Sequence, residues 1–247
     1  MSQTICGNNK VIILTGASSG IGEATARLLA AEGHMLIVGA RRLDRLETLC
    51  AELRAEGASI DALQCDVLER SALQRLAGLA MEKYGRIDVL INNAGVMPLS
   101  PLSALKVEEW ELTLDVNVRG VLYGIAAVLP AMQAQAYGHI INVASIGAHS
   151  VSPTAAVYCA SKYAVRAISD GLRQETDKIR VTVISPGVVE SELADIISDD
   201  TARQAMQTFR QVALQPESIA RAMSYAIAQP DEVDVSEIIV RPTASPY

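Results

Sequence analysis

Residues 10–22 read KVIILTGASSGIG, a β-branched run that leads into a glycine-rich turn, and a segment with helical periodicity follows at residues 21–31. This order predicts a strand, a tight turn and a helix. Gly16, Gly20 and Gly22 let the backbone approach a pyrophosphate, which the unpaired N–H groups of a helix N-terminus attract. The spacing is G-x-x-x-G-x-G and not the commoner G-x-G-x-x-G, so a purely structural turn is the alternative interpretation.

The rest of the 247-residue chain continues this alternation, without a linker, an internal repeat or a low-complexity tract. Six further apolar runs predict strands at residues 35–40, 59–65, 87–91, 139–143, 180–184 and 237–241. Helical periodicity predicts further helices at residues 43–56, 69–84, 107–135, 157–176 and 216–228. The alternation indicates one α/β domain, residues 1–247, with a parallel sheet of about seven strands and right-handed crossovers that put helices on both faces.

Composition argues against several classes of protein. The formal net charge is −7 and the basic residues form no stripe, so we expect no nucleic-acid partner and no attraction to an anionic membrane. Four cysteines, Cys6 among them, and three histidines lack the spacing of a zinc site or a disulfide framework, which predicts no metal site and reduced thiols in a cytoplasmic protein. The opening residues MSQTICGNNK lack the basic start and apolar core of a signal peptide.

No charged residue occurs between Arg119 and Lys162. Polar side chains interrupt this stretch and Pro130 and Gly138 punctuate it, so we interpret it as protein interior and not as a membrane span. A buried helix, a covered strand and an active-site loop would together give this composition, and a partner subunit could bury part of the helix.

Within this stretch, Ser145, Tyr158 and Lys162 form a candidate catalytic set. If residues from Val157 onward are helical, Tyr158 and Lys162 share one helix face, and the nearby cation is expected to lower the pKa of the phenol toward the working pH. The Ser145 hydroxyl can donate to a carbonyl oxygen that gains negative charge. The alternative is that Y-x-x-x-K arose on this helix by chance.

Arg41 and Arg42 follow the second predicted strand, at a place where many dinucleotide sites carry an acid. A guanidinium pairs with a 2′-phosphate, which favours NADP(H) over NAD(H). The alternative is that one of these arginines merely opens the next helix as a solvated charge. Asp66, after the third strand, could accept a hydrogen bond from an adenine amino group or cap the following helix.

Several short motifs occur together in the order found in one family. They are TGASSGIG, INNAG at residues 91–95, Asn117 in DVNVRG, Ser145, YCASK from Tyr158 and SPGVV from Ser185. Over nearly its whole length the chain resembles the short-chain dehydrogenase/reductase family, which implies a Rossmann-like, doubly wound sheet. The resemblance implies a tetrad in which Tyr158 is the acid/base, Ser145 orients the carbonyl, Lys162 lowers the phenol pKa and holds the nicotinamide ribose, and Asn117 anchors a water in a proton relay.

The resemblance also implies a nucleotide-binding set and a substrate-loop segment at about residues 190–212. Met97, Ile146, His149, Val151 and Val188 are candidate substrate-pocket residues, with ordinary core or loop positions as their alternatives. Family members often have Thr at the position of Ser191, and the serine keeps the hydroxyl group. The predicted nucleotide-binding residues are Gly16, Ser18, Ser19, Gly20, Ile21, Gly22, Arg41, Arg42, Asp66, Val67, Asn93, Ala94, Gly95, Tyr158, Lys162, Pro186, Gly187, Val189 and Ser191.

The function expected from these residues is NADP(H)-dependent hydride transfer between the nicotinamide and a ketone, an aldehyde or a secondary alcohol. The expected partners are this small-molecule substrate and further copies of the chain, as a homotetramer or homodimer formed through the helices at residues 107–135 and 157–176. The alternatives are an NAD-dependent alcohol or sugar dehydrogenase and a nonenzymatic dinucleotide sensor.

Overall fold

Strand β1, Val11–Thr15, is buried along its whole length because parallel strands pair with both of its edges and apolar cores cover both of its faces. This burial explains its continuous apolar sequence. The computed structural model describes residues 9–245, so Cys6 and the first eight residues of the opening segment without signal-peptide character lie outside the described residues.

Seven parallel strands form one sheet in the order β3-β2-β1-β4-β5-β6-β7, which confirms the predicted sheet. The chain leaves β1 first toward β2 and later toward β4, so the connections diverge at this point and open a crevice at the carboxyl ends of the strands. The other strands are β2 (Met35–Ala40), β3 (Ser59–Gln64), β4 (Val89–Asn92), β5 (Gly138–Val143), β6 (Ile179–Pro186) and β7 (Glu237–Val240).

Helices cover both faces of the sheet, as predicted. They are α1 (Gly20–Ala31), α2 (Leu43–Ala55), α3 (Arg70–Tyr84), α4 (Val107–Leu114), α5 (Gly120–Gln135), α6 (Ala156–Gln174), α7 (Asp200–Phe209) and α8 (Pro216–Ile227). Ile13 belongs to the core beneath α3, α5 and α6, whereas Ile12 belongs to the core beneath α1, α2 and α8. The period-2 alternation of strand side chains therefore divides the apolar residues of β1 between two cores.

The predicted helix at residues 107–135 has the expected ends but contains a π-helical turn, Asp115–Arg119, between α4 and α5. The Gly120 N–H donates to the Asp115 carbonyl, five residues back. Such bulges cluster at functional sites, and this one contains Asn117. Among the described residues, Val107–Gln135 is also the one helix that meets the length and composition expected of a membrane span, a test that core helices pass as well.

A chain of buried amides joins the sheet to the helices beside the crevice. Asn92 donates to Asn142 Oδ1 at 2.9 Å, and Asn142 donates to Ser169 Oγ on α6 at 2.9 Å. A Cβ on Gly124 would lie 2.1 Å from Asn92 Oδ1, so glycine is required where α5 crosses this chain. These contacts fix α6, and with it Tyr158 and Lys162, against β4 and β5.

Candidate active site

A crevice of about 780 Å³ lies at the carboxyl edge of the sheet, and every predicted nucleotide-binding residue lines it. At one end, here called the arginine end, are Ser18, Ser19, Arg41 and Arg42. At the other, the tyrosine end, are Ser145, Tyr158 and Lys162. The structure thus brings together motifs that are far apart in the sequence.

The glycine-rich turn between β1 and α1 is too crowded for side chains. A Cβ on Gly22 would lie 2.2 Å from the Gly16 carbonyl oxygen, and one on Gly16 would lie 2.8 Å from Ala94 Cα. Gly16 also has a φ of 70°, which glycine adopts without strain. The N-cap residue of α1, Ser19, makes no side-chain cap, so the first N–H groups of this helix can bind an anion in the crevice.

The INNAG motif braces this turn from β4. Asn93 Nδ2 donates to the carbonyl oxygens of Thr15 and Gly16, at 3.0 and 3.2 Å. Thr15 Oγ1 accepts from the N–H groups of Asn93 and Ala94, at 3.1 and 3.2 Å. Thr15 opens the TGASSGIG motif but was not among the predicted site residues.

At the tyrosine end, the side chains of Ser145, Tyr158 and Lys162 are buried against the crevice, and Tyr158 and Lys162 lie one turn apart on α6. Burial raises the pKa of Tyr158 to about 12, and hydrogen bonding with Ser145 acts in the opposite direction. Our expectation that Lys162 lowers the phenol pKa below its ordinary value is therefore wrong for this structure.

The position of Lys162 explains this difference. Its Nζ lies 5.8 Å from the centroid of the Tyr158 ring and donates to the Val143 carbonyl oxygen at 2.9 Å. Burial lowers the pKa of Lys162 to about 8, because desolvation disfavours its charged form. The same desolvation thus favours the neutral form of both side chains.

Asn117 is buried and lies behind the crevice wall, outside its lining. Its Oδ1 accepts from the Val96 N–H at 2.9 Å, and its Nδ2 donates to the Val96 carbonyl at 2.9 Å and to Ser161 Oγ at 3.1 Å. A Cβ on Gly95 would lie 3.3 Å from Asn117 Oδ1 and 3.6 Å from Lys162 Nζ. The Asn117 side chain therefore positions the backbone next to Lys162.

At the arginine end, Arg42 faces the glycine-rich turn. Its guanidinium donates to Ser18 Oγ, at 3.2 Å from Nε and 3.1 Å from Nη2, and to Ser19 Oγ at 2.7 Å. Arg42 is also the N-cap residue of α2. Its side chain is nevertheless hydrogen-bonded to the glycine-rich turn, so it is not simply a solvated charge at the start of that helix. Arg41 also lines the crevice and is exposed.

Asp66 lines the crevice and does not cap α3. Its Oδ1 accepts from the Leu68 N–H at 3.0 Å, whereas the N-cap residue of α3 is Glu69. The helix-capping alternative is therefore wrong, and the carboxylate instead stabilises the turn that follows β3.

The tyrosine end opens onto an apolar cluster that the segment at residues 190–212 helps to build. Tyr158 packs there with Leu99, Cys159, Ile197 and Ala202, and Met97 and Met206 pack against them. Among the candidate pocket residues, Met97, Ile146 and Val188 line the crevice.

His149 and Val151 do not line the crevice, so these two pocket predictions are wrong. His149 Nε2 lies 2.8 Å from Glu237 Oε1 and 3.2 Å from Ser185 Oγ, so its ring turns toward β6 and β7. The Val151 side chain is 63% exposed. Proximity to Ser145 in the sequence did not place either residue in the site.

The described residues contain no group of three or more His, Cys, Asp or Glu side chains that could hold a metal ion. Cys50, Cys65 and Cys159 are buried free thiols, and burial raises the pKa of each.

A glycine-rich turn under an uncapped helix end, with a buried Tyr, Ser and Lys at the far side of the same crevice, is the arrangement of a dinucleotide-dependent oxidoreductase. Residues 10–202 match the family described as short chain dehydrogenase, and the chain belongs to this family.

Relatives and solved structures extend this likeness to nearly the whole chain. An uncharacterized oxidoreductase from Staphylococcus saprophyticus is 50% identical over 240 residues, which are 96% of this chain and 97% of the relative. A closed serine dehydrogenase complexed with NADP+ is 32% identical, with a TM-score of 0.88 and 96% of each chain covered. A short-chain dehydrogenase/reductase from Burkholderia phymatum in complex with NAD is 28% identical, with a TM-score of 0.85 over 94% of this chain and 88% of that one. Both cofactors therefore occur among the structural neighbours.

Proposed function

We propose that this protein is an NADP(H)-dependent oxidoreductase that transfers hydride between the nicotinamide and a ketone, an aldehyde or a secondary alcohol. The observation that carries the proposal is the placement of Tyr158, Ser145 and Lys162 in the same crevice as the glycine-rich turn and Arg42. One continuous site can thus hold a dinucleotide and act on a carbonyl beside it.

The residues of the crevice fit this cofactor. Glycine is required at Gly16 and Gly22, which leaves backbone N–H groups to hold the pyrophosphate. Arg42, with Ser18 and Ser19, offers donors for a 2′-phosphate. Pro186, Gly187, Val189 and Ser191 also line the crevice, and the family resemblance assigns them to the nicotinamide. When bound, the nucleotide supplies or accepts the hydride.

The tyrosine end would perform the proton transfer. Ser145 Oγ accepts the Gly147 N–H at 3.0 Å, which leaves its own proton to donate to the carbonyl oxygen. With a pKa of about 12, the Tyr158 phenol keeps its proton at neutral pH and can give it to the oxygen as negative charge develops there. Lys162, charged below about pH 8, would stabilise the resulting phenolate. Oxidation of an alcohol would use the reverse transfers.

The apolar cluster beside Tyr158 favours a substrate with an apolar substituent on its carbonyl carbon. Leu99, Ala202 and Met206 belong to this cluster and line the crevice, where they offer hydrocarbon and thioether contacts. We therefore assign the protein a small or medium ketone or aldehyde, or a β-keto or 3-hydroxy compound.

We further propose that the protein acts in the cytoplasm as a homotetramer or homodimer formed through α4, α5 and α6. Leu112 and Leu114 on α4, Leu122 on α5 and Tyr163 on α6 are exposed apolar side chains, and a partner helix pair would cover them. Analytical ultracentrifugation at micromolar concentration tests this assembly, and a monomeric mass would refute it.

The experiment that tests the function compares the oxidation of NADPH and NADH across a panel of ketones and aldehydes. We expect carbonyl-dependent consumption with NADPH as the better donor. A preference for NADH would instead indicate the NAD-dependent alternative. Tight nucleotide binding without consumption on any carbonyl would indicate a nonenzymatic sensor.

A further inference from the structure

One carboxylate of the segment at residues 190–212 reaches across the mouth of the crevice to the arginine end. Glu192 Oε2 accepts from Arg42 Nη1 at 2.6 Å, and Glu192 Oε1 accepts from Arg45 Nη1 at 2.6 Å. Both oxygens of Glu192 are therefore engaged by guanidinium groups. These contacts join residues about 150 positions apart in the sequence.

The backbone that carries Glu192 lies directly over the glycine-rich turn. A Cβ on Gly20 would lie 3.3 Å from Ser191 Cβ, the residue before Glu192. Glu192 and Arg42 both line the crevice, whereas Arg45 does not. The Glu192 carboxylate thus stands inside the proposed nucleotide site, on the side where Arg42 meets Ser18 and Ser19.

We propose that Glu192 is a specificity-determining residue that competes with the 2′-phosphate of NADP(H) for the Arg42 guanidinium. The proposal rests on the proposed function, since it takes Arg42 as the group that reads this phosphate. A nucleotide with a 2′-phosphate displaces Glu192 from Arg42, whereas a nucleotide without one leaves the Glu192–Arg42 pair in place.

Charge and exposure explain why the two anions exclude each other. A carboxylate and a phosphate both use the donor geometry of a guanidinium, and two anions at one guanidinium repel each other. The hydrogen bonds from Arg45 and Arg42 hold the pKa of Glu192 at about 2, so the competitor stays charged at every pH at which the protein would work.

The pair is also weak enough to be displaced. The side chains of Arg42 and Glu192 are 40% and 44% exposed, and ion pairs at such positions contribute little free energy. A phosphate carries a charge of about −1.5 to −2 at neutral pH, which exceeds that of one carboxylate. Arg45, outside the crevice lining, can keep Glu192 at the mouth after Arg42 has turned to the phosphate.

Displacement also affects the substrate end. Glu192 opens the short helical turn Glu192–Ala194, and the segment continues to Ile197 and Ala202 in the apolar cluster around Tyr158. Breaking the Glu192–Arg42 pair removes one of the two ion pairs that hold this segment at the start of α2, and the Arg45 pair remains. Binding of a 2′-phosphate thereby loosens the segment that packs Ile197 and Ala202 against Tyr158.

The test is titration calorimetry with adenosine 2′,5′-bisphosphate and adenosine 5′-monophosphate, two probes that differ only in the 2′-phosphate. Wild type is expected to bind the bisphosphate more tightly. In Glu192→Gln, the affinity for the bisphosphate should increase about two- to fivefold, because the competing charge is gone, while the affinity for the monophosphate stays unchanged.

Glu190→Gln is the matched control. It removes the same charge two residues away, but Glu190 pairs with Arg210 at 2.7 Å and does not line the crevice. Its bisphosphate affinity should equal that of wild type. In an Arg42→Gln background, the gain from Glu192→Gln should disappear, because a coupling between two residues vanishes when either one is removed.

The outcomes distinguish the competition by Glu192 from the NADP(H) preference on which it rests. If wild type prefers the bisphosphate but Glu192→Gln behaves like Glu190→Gln, the competition is refuted and the NADP(H) preference stands. If the gain from Glu192→Gln persists without Arg42, the competition is refuted as well. If wild type does not prefer the bisphosphate, both the competition and the proposed NADP(H) preference are overturned.

Discussion

At the tyrosine end of the crevice, Tyr158 and Lys162 are buried, and desolvation moves their pKa values to about 12 and about 8. At the arginine end, Arg42, Arg45 and Glu192 are partly exposed, and hydrogen bonds between opposite charges hold the pKa of Glu192 at about 2. One end thus holds a phenol that keeps its proton beside a lysine that loses its charge near pH 8, and the other holds paired ions that can exchange partners. Burial suits the first task, and exposure suits the second.

The largest expected effect is at the tyrosine end. Tyr158→Phe keeps the buried ring but removes the transferable proton, so we expect kcat to fall by about 10²- to 10⁴-fold while nucleotide affinity stays nearly unchanged. Steady-state turnover and nucleotide titration measure the two effects. Tyr163→Phe, on the exposed side of the same helix, should keep wild-type turnover. Near-normal turnover of Tyr158→Phe would remove the phenol from its assigned role.

A second effect concerns the glycine-rich turn between the two ends. Gly22→Ala places a Cβ 2.2 Å from the Gly16 carbonyl oxygen, so the backbone must shift. We therefore expect the free energy of unfolding to fall by about 1–3 kcal/mol and nucleotide binding to weaken. Chemical denaturation and nucleotide titration check both results. For Gly78→Ala in α3, a Cβ meets nothing within 4 Å, so this control should gain roughly 0.5–1 kcal/mol. Equal stability of the two variants would contradict the crowding.

A third, smaller effect concerns the preference for NADPH over NADH, which we assign to the arginine end. Arg42→Gln should reduce the preference for NADPH over NADH about tenfold, because a hydrogen bond to a charged group contributes a net of about 1.5–3 kcal/mol, and about 1.4 kcal/mol corresponds to tenfold. Arg41→Gln should have a smaller effect, since the Arg42 guanidinium already contacts Ser18 and Ser19. The ratio of kcat/KM values for the two nucleotides measures the preference. A larger change in Arg41→Gln would show that Arg41, and not Arg42, binds the 2′-phosphate.

The sheet could be predicted because buried parallel strands leave continuous apolar runs in the sequence. The glycine-rich turn could also be predicted, because Gly16 and Gly22 stand where the backbone has no room for a Cβ. Both signals are local, so each can be recognised without knowledge of the distant chain.

The remaining features depend on distant neighbours. The spacing of Tyr158 and Lys162 showed that they share a helix face, but neither their burial nor the hydrogen bond from Lys162 to Val143 follows from that spacing. His149 pairs with Glu237 on the last strand, which its place after Ser145 could not reveal. The pairing of Glu192 with Arg42 and Arg45 beside the arginine end was not predicted, although Arg45 follows Arg42 by three positions in ARRLDR.

The pH dependence of kcat/KM for the carbonyl, at saturating NADPH, tests most directly whether burial sets the ionisation of the tyrosine end. This ratio includes the proton transfer and reports ionisations of the enzyme before the carbonyl binds. A buried lysine whose pKa is lowered to about 8 is charged below that pH and neutral above it. We therefore expect kcat/KM to fall about tenfold between about pH 7 and 9, and the fall should move to higher pH in Lys162→Arg, whose guanidinium stays charged. A value of kcat/KM that stays constant in wild type up to about pH 10, near the ordinary lysine pKa, would contradict the account.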